Sequence, residues 1–118
     1  MQVKLYGIAK CDKVRAARAW LAQRGIEAGF HDFKRQGITQ ALLASWLQQL
    51  EWTNLVNRRG TTWKQLPEAR RNGINSAAAA SSLMLDKPSV IKRPVLDVDG
   101  KLYLGFDADT YSGLFGKS

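Results

Sequence analysis

The one thiol of this chain, Cys11, stands in the run Lys10-Cys11-Asp12-Lys13-Val14-Arg15, which holds three cations and one acid. A cysteine does chemistry as its thiolate, so the first question is what favours the ionised sulfur. Lys10, Lys13 and Arg15 bring positive charge within a few residues, and Asp12 works against them. The position in the chain adds a second influence. Upstream, Val3, Leu5, Tyr6 and Ile8 read as an apolar strand; downstream, Val14, Ala17 and Leu21 recur at helical spacing. A side chain at that junction meets the first free N–H groups of the helix and the positive end of its dipole. Charge and position together predict a thiol pKa below the ordinary value and a reactive cysteine. The competing reading, a small apolar side chain filling the core, is the commoner fate of a lone cysteine.

The chain must fold so as to place that junction. Gln2 to Ile8 is predicted as a strand, Lys13 to Arg24 as a helix ended by Gly25, and Ala28 to Phe33 as a second strand. Strand, helix and strand with short connections form a βαβ unit, so the two strands should run parallel. His31, the single histidine, falls on the second strand, where it reads as a surface or half-buried side chain rather than a base for Cys11. A second helix follows Thr39, an N-cap with Ile38 before it and Leu43 four residues on. Its apolar face is Leu42, Leu43, Trp46, Leu47 and Leu50. Leu55 to Trp63 reads as a polar turn leading into a short helix disrupted by Pro67, and Asn75 or Ser76 caps an alanine-rich helix to about Leu85. Asp99-Gly100 between two β-prone runs is a hairpin signal, with Pro94 at the start of the first of those strands. Asp107 caps a last helix carrying Tyr111, Leu114 and Phe115, and Gly116-Lys117-Ser118 is expected to fray.

The predicted fold class is therefore α/β: one domain, residues 1–118, with a mixed four-stranded sheet and a helical insertion at about 38–87 between a βαβ half and a ββα half. In that arrangement Cys11, at the end of the first strand, comes close to the start of the third at Arg93-Pro94.

Composition limits the function classes. Of 118 residues, 45% are hydrophobic and 24% charged, which suits one domain with one modest core. There is no apolar run long enough to span a bilayer and no basic-then-apolar signal segment. One cysteine cannot make an internal disulfide, so a reducing cytoplasm is the expected compartment. The net charge of +8 raises the question of nucleic acid. Yet the basic residues are scattered in pairs, including Lys34/Arg35, Arg58/Arg59, Arg70/Arg71 and Lys92/Arg93, with no continuous stripe interleaved with aromatics. A site for small anions is the better expectation, and neither a membrane nor a nucleic acid is expected as partner.

Three groups of residues carry a resemblance over nearly the whole chain. They are Leu5-Tyr6 followed by Cys11 and Arg15; Leu55-Val56-Asn57-Arg58-Arg59-Gly60 with Leu66 beyond it; and Pro88-x-Val90-Ile91-x-Arg93-Pro94-Val95, with Leu104-Gly105-Phe106-Asp107 after it. In these the chain resembles the arsenate reductase-like family of the thioredoxin fold, which contains the ArsC reductases and the Spx regulators. It is most similar to the short YffB-type members. The resemblance implies that Cys11 is the nucleophile and that Arg93 binds an oxyanion or a glutathione adduct. It also implies that the Arg93-Pro94 bond is cis with Pro94 facing the cysteine. Arg15 matches a family position four residues past the cysteine. Arsenate-reducing members carry a histidine where this chain has Gly7, an arginine where it has Asn57 (with Arg58 or Arg59 as substitutes), and an arginine where it has Gly105 or Phe106. The second cysteine of Spx proteins corresponds to Val14.

The expected catalytic residue is thus Cys11, and the expected substrate-binding residues are Arg93, Pro94, Lys10, Arg15, Arg58 and Arg59, with no metal. Lacking a second cysteine, a mixed disulfide on Cys11 must be resolved by an external thiol. Glutathione, whose carboxylates suit Arg93 and the nearby cations, is the expected co-substrate. The expected activity is thiol-disulfide reduction by a monomer, with glutaredoxin as a further partner in the arsenate-reducing variant. Two other classes of function stand beside it: a regulator that docks on RNA polymerase as Spx proteins do, and a family member without chemistry that serves only as a binding module.

Overall fold

A computed structural model describes residues 1–116; the expected fraying at Lys117 and Ser118 lies outside the described residues. Its contacts divide the chain into two compact units, Met1–Asp32 with Arg93–Ser118, and Phe33–Lys92.

The first unit is built on the sheet. Strand β1 (Val3–Gly7) leads through a short loop into helix α1 (Asp12–Gln23), which returns to strand β2 (Gly29–Asp32). After the second unit come β3 (Val95–Val98), β4 (Lys101–Leu104) and a final helix over Ala108–Phe115. The strand order is β2-β1-β3-β4. The β1–β2 pair is parallel, as the βαβ reading requires, and β1–β3 and β3–β4 are antiparallel, giving the expected mixed sheet. Asp99 (φ 51°) and Gly100 (φ 92°) both take the left-handed turn conformation, which explains why this dipeptide marks the hairpin. The Gly100 N–H donates to Asp97 Oδ1 at 2.7 Å.

Alternation along β1 puts Val3 and Leu5 on one face. There they pack with Leu96 of β3, with Val14, Ala17, Trp20 and Leu21 of α1, and with Tyr111 of the last helix. The Trp20 and Tyr111 rings meet edge to face at 5.6 Å, and Phe106 meets Tyr111 the same way at 4.8 Å. This core fixes α1 against the sheet, and Gly7 sets how closely. A Cβ on Gly7 would fall 2.6 Å from Val14 Cγ2. Gly7→Ala is therefore expected to cost about 1–3 kcal/mol by overpacking. In urea unfolding, Gly7→Ala combined with Val14→Ala should cost less than the two single changes added together.

The second unit is helical: α2 (Phe33–Gln36), α3 (Gln40–Leu47), α4 (Trp52–Leu55), α5 (Thr61–Lys64), α6 (Glu68–Asn72), α7 (Ala77–Asp86) and a 3₁₀ turn at Pro88–Val90. The helix Ala108–Phe115 is then α8. Thr39 is an N-cap as read from the sequence, and of Asn75 and Ser76 it is Ser76 that caps the later helix: the Thr39 and Ser76 hydroxyls accept from the Leu42 and Ala79 N–H groups at 3.1 and 3.2 Å. Pro67 separates α5 from α6 by standing just before Glu68. Phe33, expected to end a strand, opens α2 instead and is buried with its ring 6.2 Å from that of Trp46. Residues 88–90 form the 3₁₀ turn, and Ile91 makes one isolated antiparallel bridge with Val56.

Candidate functional site

Cys11 is the N-cap of α1, with extended backbone (φ −70°, ψ 131°). Its N–H donates to the Ile8 carbonyl at 3.0 Å, and its carbonyl accepts from the Arg15 N–H at 2.9 Å, so the backbone on both sides of the sulfur is fixed. The side chain is half-buried. It closes no standard capping hydrogen bond. Even so, the N–H groups of Val14 and Lys13 lie toward the sulfur and favour its ionised form.

Sheet register brings the second participant. Tyr6 of β1 stands opposite Val95 of β3, so the Arg93-Pro94 bond lies at the same end of the sheet as the loop carrying Cys11. That bond is cis, and Pro94 is buried with its carbonyl accepting from the Gly105 N–H at 2.8 Å. The Arg93 side chain hydrogen-bonds the thiol. Three kinds of influence then meet on one sulfur. Burial is the largest single one and pushes the thiol pKa up; the Val14 N–H, the Arg93 guanidinium and the Lys13 N–H pull it down. Their sum is downward from the ordinary value of 9.0. The site shifts the balance toward the thiolate.

The sign carries into stability. With a folded pKa below the unfolded one, the thiolate contributes stability that is complete above the ordinary value of 9.0 and disappears as pH falls through the lowered folded value. The stability of the wild type relative to Cys11→Ser should therefore rise with pH across that window and level off above it, as measured by urea unfolding at a series of pH values.

The remaining expected site residues fall in different places. Lys10 and Lys13 are exposed beside the cysteine. Arg15 is paired with Asp12 on the same helix, its side chain 63% exposed. That pair answers the acid which, in the sequence, opposes the thiolate, and it gives Arg15 a partner other than the sulfur. His31 sits on β2 against Tyr6, ring centroids 5.1 Å apart. Tyr6 itself is buried, and burial together with the Asp97 carboxylate raises its hydroxyl pKa. Arg58 and Arg59 belong to the second unit. The Arg58 guanidinium lies 5.6 Å from the Trp52 ring and 5.9 Å from the Trp63 ring. It borders a polar groove together with Arg59 and Lys92. Lys92 is not among the site residues expected from the sequence, where it shows only as the neighbour of Arg93 in a basic pair. Among the described residues, no cluster of three or more His, Cys, Asp or Glu could hold a metal ion. No helix there is long and apolar enough to cross a membrane.

Comparison with known proteins points in one direction. The ArsC family model matches residues 6–114. A curated relative, an uncharacterised protein of Haemophilus influenzae, is 37% identical over 113 residues, covering 96% of this chain and 98% of its own length. Among solved structures, a YffB protein superposes with a TM-score of 0.91 at 39% identity, covering 98% of this chain and all of that one. An arsenate reductase (ArsC) related protein from Brucella melitensis gives a TM-score of 0.78 at 44% identity, over 98% of this chain and 95% of that one. The mixed sheet with its helices is the thioredoxin-like fold of these neighbours.

Proposed function

Because the chain belongs to the ArsC family, we propose that it is a glutathione-dependent thiol-disulfide reductase working through Cys11 alone, in the cytoplasm and as a monomer. The observation that carries this reading is a sulfur favoured as thiolate by two backbone N–H groups and the Arg93 guanidinium in spite of its partial burial.

The chemistry is two exchanges. The Cys11 thiolate attacks the glutathionyl sulfur of a substrate mixed disulfide. The substrate S–S bond breaks, the substrate leaves as a thiolate that takes a proton from water, and Cys11 holds the glutathione in a new disulfide. A second glutathione, as thiolate, attacks the glutathionyl sulfur and regenerates the Cys11 thiolate, releasing oxidised glutathione. The net result exchanges one disulfide for another: the substrate sulfur returns to a thiol, and two glutathiones are joined. Arg93 supports both steps, because its positive charge stabilises the thiolate that attacks in the first and leaves in the second. In this reading Pro94 shapes the wall beside the sulfur, and Lys10 and Arg15 draw anionic substrates toward the start of the helix.

Incubation with oxidised glutathione followed by mass spectrometry tests the proposal. One glutathione adduct, mapped to Cys11, is expected. A thiol that stays unmodified under conditions that modify a free cysteine peptide would remove the reading.

A second reading is favoured by the relative from Brucella melitensis, described as related to arsenate reductase: arsenate as the oxidant, with glutaredoxin closing the cycle. It has to do without side chains at two points. Gly7 has no room for a side chain against Val14, and Asn57 spends its Oδ1 accepting from the Arg59 N–H at 3.1 Å. Arsenate-dependent NADPH consumption in a coupled glutaredoxin assay separates the two readings.

A further inference from the structure

We propose that the groove bordered by Arg58, Arg59 and Lys92 is a binding site for a short acidic peptide segment of a partner. This goes beyond the thiol chemistry and does not require it.

The groove encloses about 490 Å³, within the size range of pockets that hold small ligands. Among the described residues, three cations line it and no carboxylate does; Thr53, Asn54 and Asn57 supply the neutral polar surface. Its frame is fixed by backbone bonds. The Asn57 N–H donates to the Val90 carbonyl at 2.8 Å and the Lys92 N–H to the Leu55 carbonyl at 2.8 Å, on either side of the Val56–Ile91 bridge. Those bonds hold Lys92 across from the Arg58-Arg59 turn.

The turn is itself held. Asn57 Oδ1 accepts from the Arg59 N–H, and Gly60 leaves space for the Asn57 side chain, since a Cβ there would lie 2.9 Å from Asn57 Nδ2. Arg58 is propped by Trp52 and Trp63, which limits the rotamer freedom it would lose on binding an anion.

The chemistry of the lining selects the ligand. Guanidinium groups take carboxylates in paired hydrogen bonds, and asparagine amides both donate to and accept from peptide groups. A single strand of nucleic acid would want aromatic faces for base stacking. Here both tryptophans already carry the Arg58 guanidinium. An acidic peptide uses everything the groove offers.

The test is an NMR titration of the full chain with a blocked, sulfur-free Glu-Gly-Glu-Gly peptide. Saturable shifts are expected at the amides of Asn54, Asn57, Arg59 and Lys92 and at the indole signals of Trp52 and Trp63, weakening as salt is added. The double variant Arg59→Gln/Lys92→Gln changes only exposed side chains and should keep the native spectrum while binding roughly tenfold more weakly. The matched Gln-Gly-Gln-Gly peptide should not bind. Absence of saturable shifts, shifts confined to other residues, or equal binding by the double variant would overturn the proposal. So would tighter occupation of the same residues by inorganic phosphate or by an oligothymidine. Because the probe has no sulfur, the outcome is independent of whether Cys11 reacts.

Discussion

Replacing Cys11 with serine is expected to abolish both the glutathione adduct and all turnover of glutathionylated substrates, while leaving the fold intact. The loss should be complete because the chain has no other thiol to take over. A serine hydroxyl at the same N-cap can accept from the helix N–H groups but does not ionise near neutral pH. The half-buried setting tolerates the swap of sulfur for oxygen, so far-ultraviolet circular dichroism and the thermal transition at pH 6 should match the wild type. The check is reduction of a glutathionylated peptide coupled to glutathione reductase. Residual turnover by the serine variant well above the uncatalysed rate would place the chemistry elsewhere.

Arg93→Gln is expected to have the next largest effect. Among the described residues, the guanidinium is the side-chain cation that acts directly on the thiol, through both a hydrogen bond and its charge. Hydrogen bonds to charged groups contribute about 1.5–3 kcal/mol, so the rate of thiolate attack at neutral pH should fall by roughly tenfold or more. Glutamine keeps a donor of similar length and removes the charge. Much of the loss should therefore be recovered by raising the pH until the variant's thiol is ionised. A merely structural role for Arg93 predicts a loss that pH does not recover. Lys10→Gln and Arg15→Gln serve as controls of smaller effect, since Lys10 is exposed and Arg15 is engaged with Asp12.

Local signals made the first unit legible in the sequence. The i, i+3, i+7 spacing of Val14, Ala17 and Leu21 gives the buried face of α1, and Asp99-Gly100 can hardly be anything but a two-residue turn. Position at a strand-to-helix junction was enough to expect N–H groups at Cys11. That Arg93 would be the cation to reach it depended on the resemblance and on the antiparallel register of β1 with β3, a long-range pairing that no window of sequence encodes. Arg15, four positions past the cysteine on the same helix, is also placed to pair with Asp12 three positions behind it, a pairing that spacing alone allows.

The second unit was harder to read. Its helices α2, α4 and α5 are four residues each, too short to show a period. Phe33 in α2 and Leu55 in α4 are buried, so these short helices are held by packing rather than by their own length. In the groove, Lys92 meets the Arg58-Arg59 turn through the long-range Val56–Ile91 bridge and the backbone bonds on either side of it.

Everything proposed for Cys11 requires its sulfur to ionise at lower pH than that of an ordinary cysteine. The rate of alkylation by iodoacetamide, followed against pH in the native protein and in the urea-unfolded chain, measures this directly. The native curve should have its midpoint clearly below that of the unfolded chain, and Arg93→Gln should move the native midpoint back up. Coincident midpoints in native and unfolded protein, or a native midpoint above the unfolded one, would contradict the account, because burial would then have outweighed the helix N–H groups and the guanidinium.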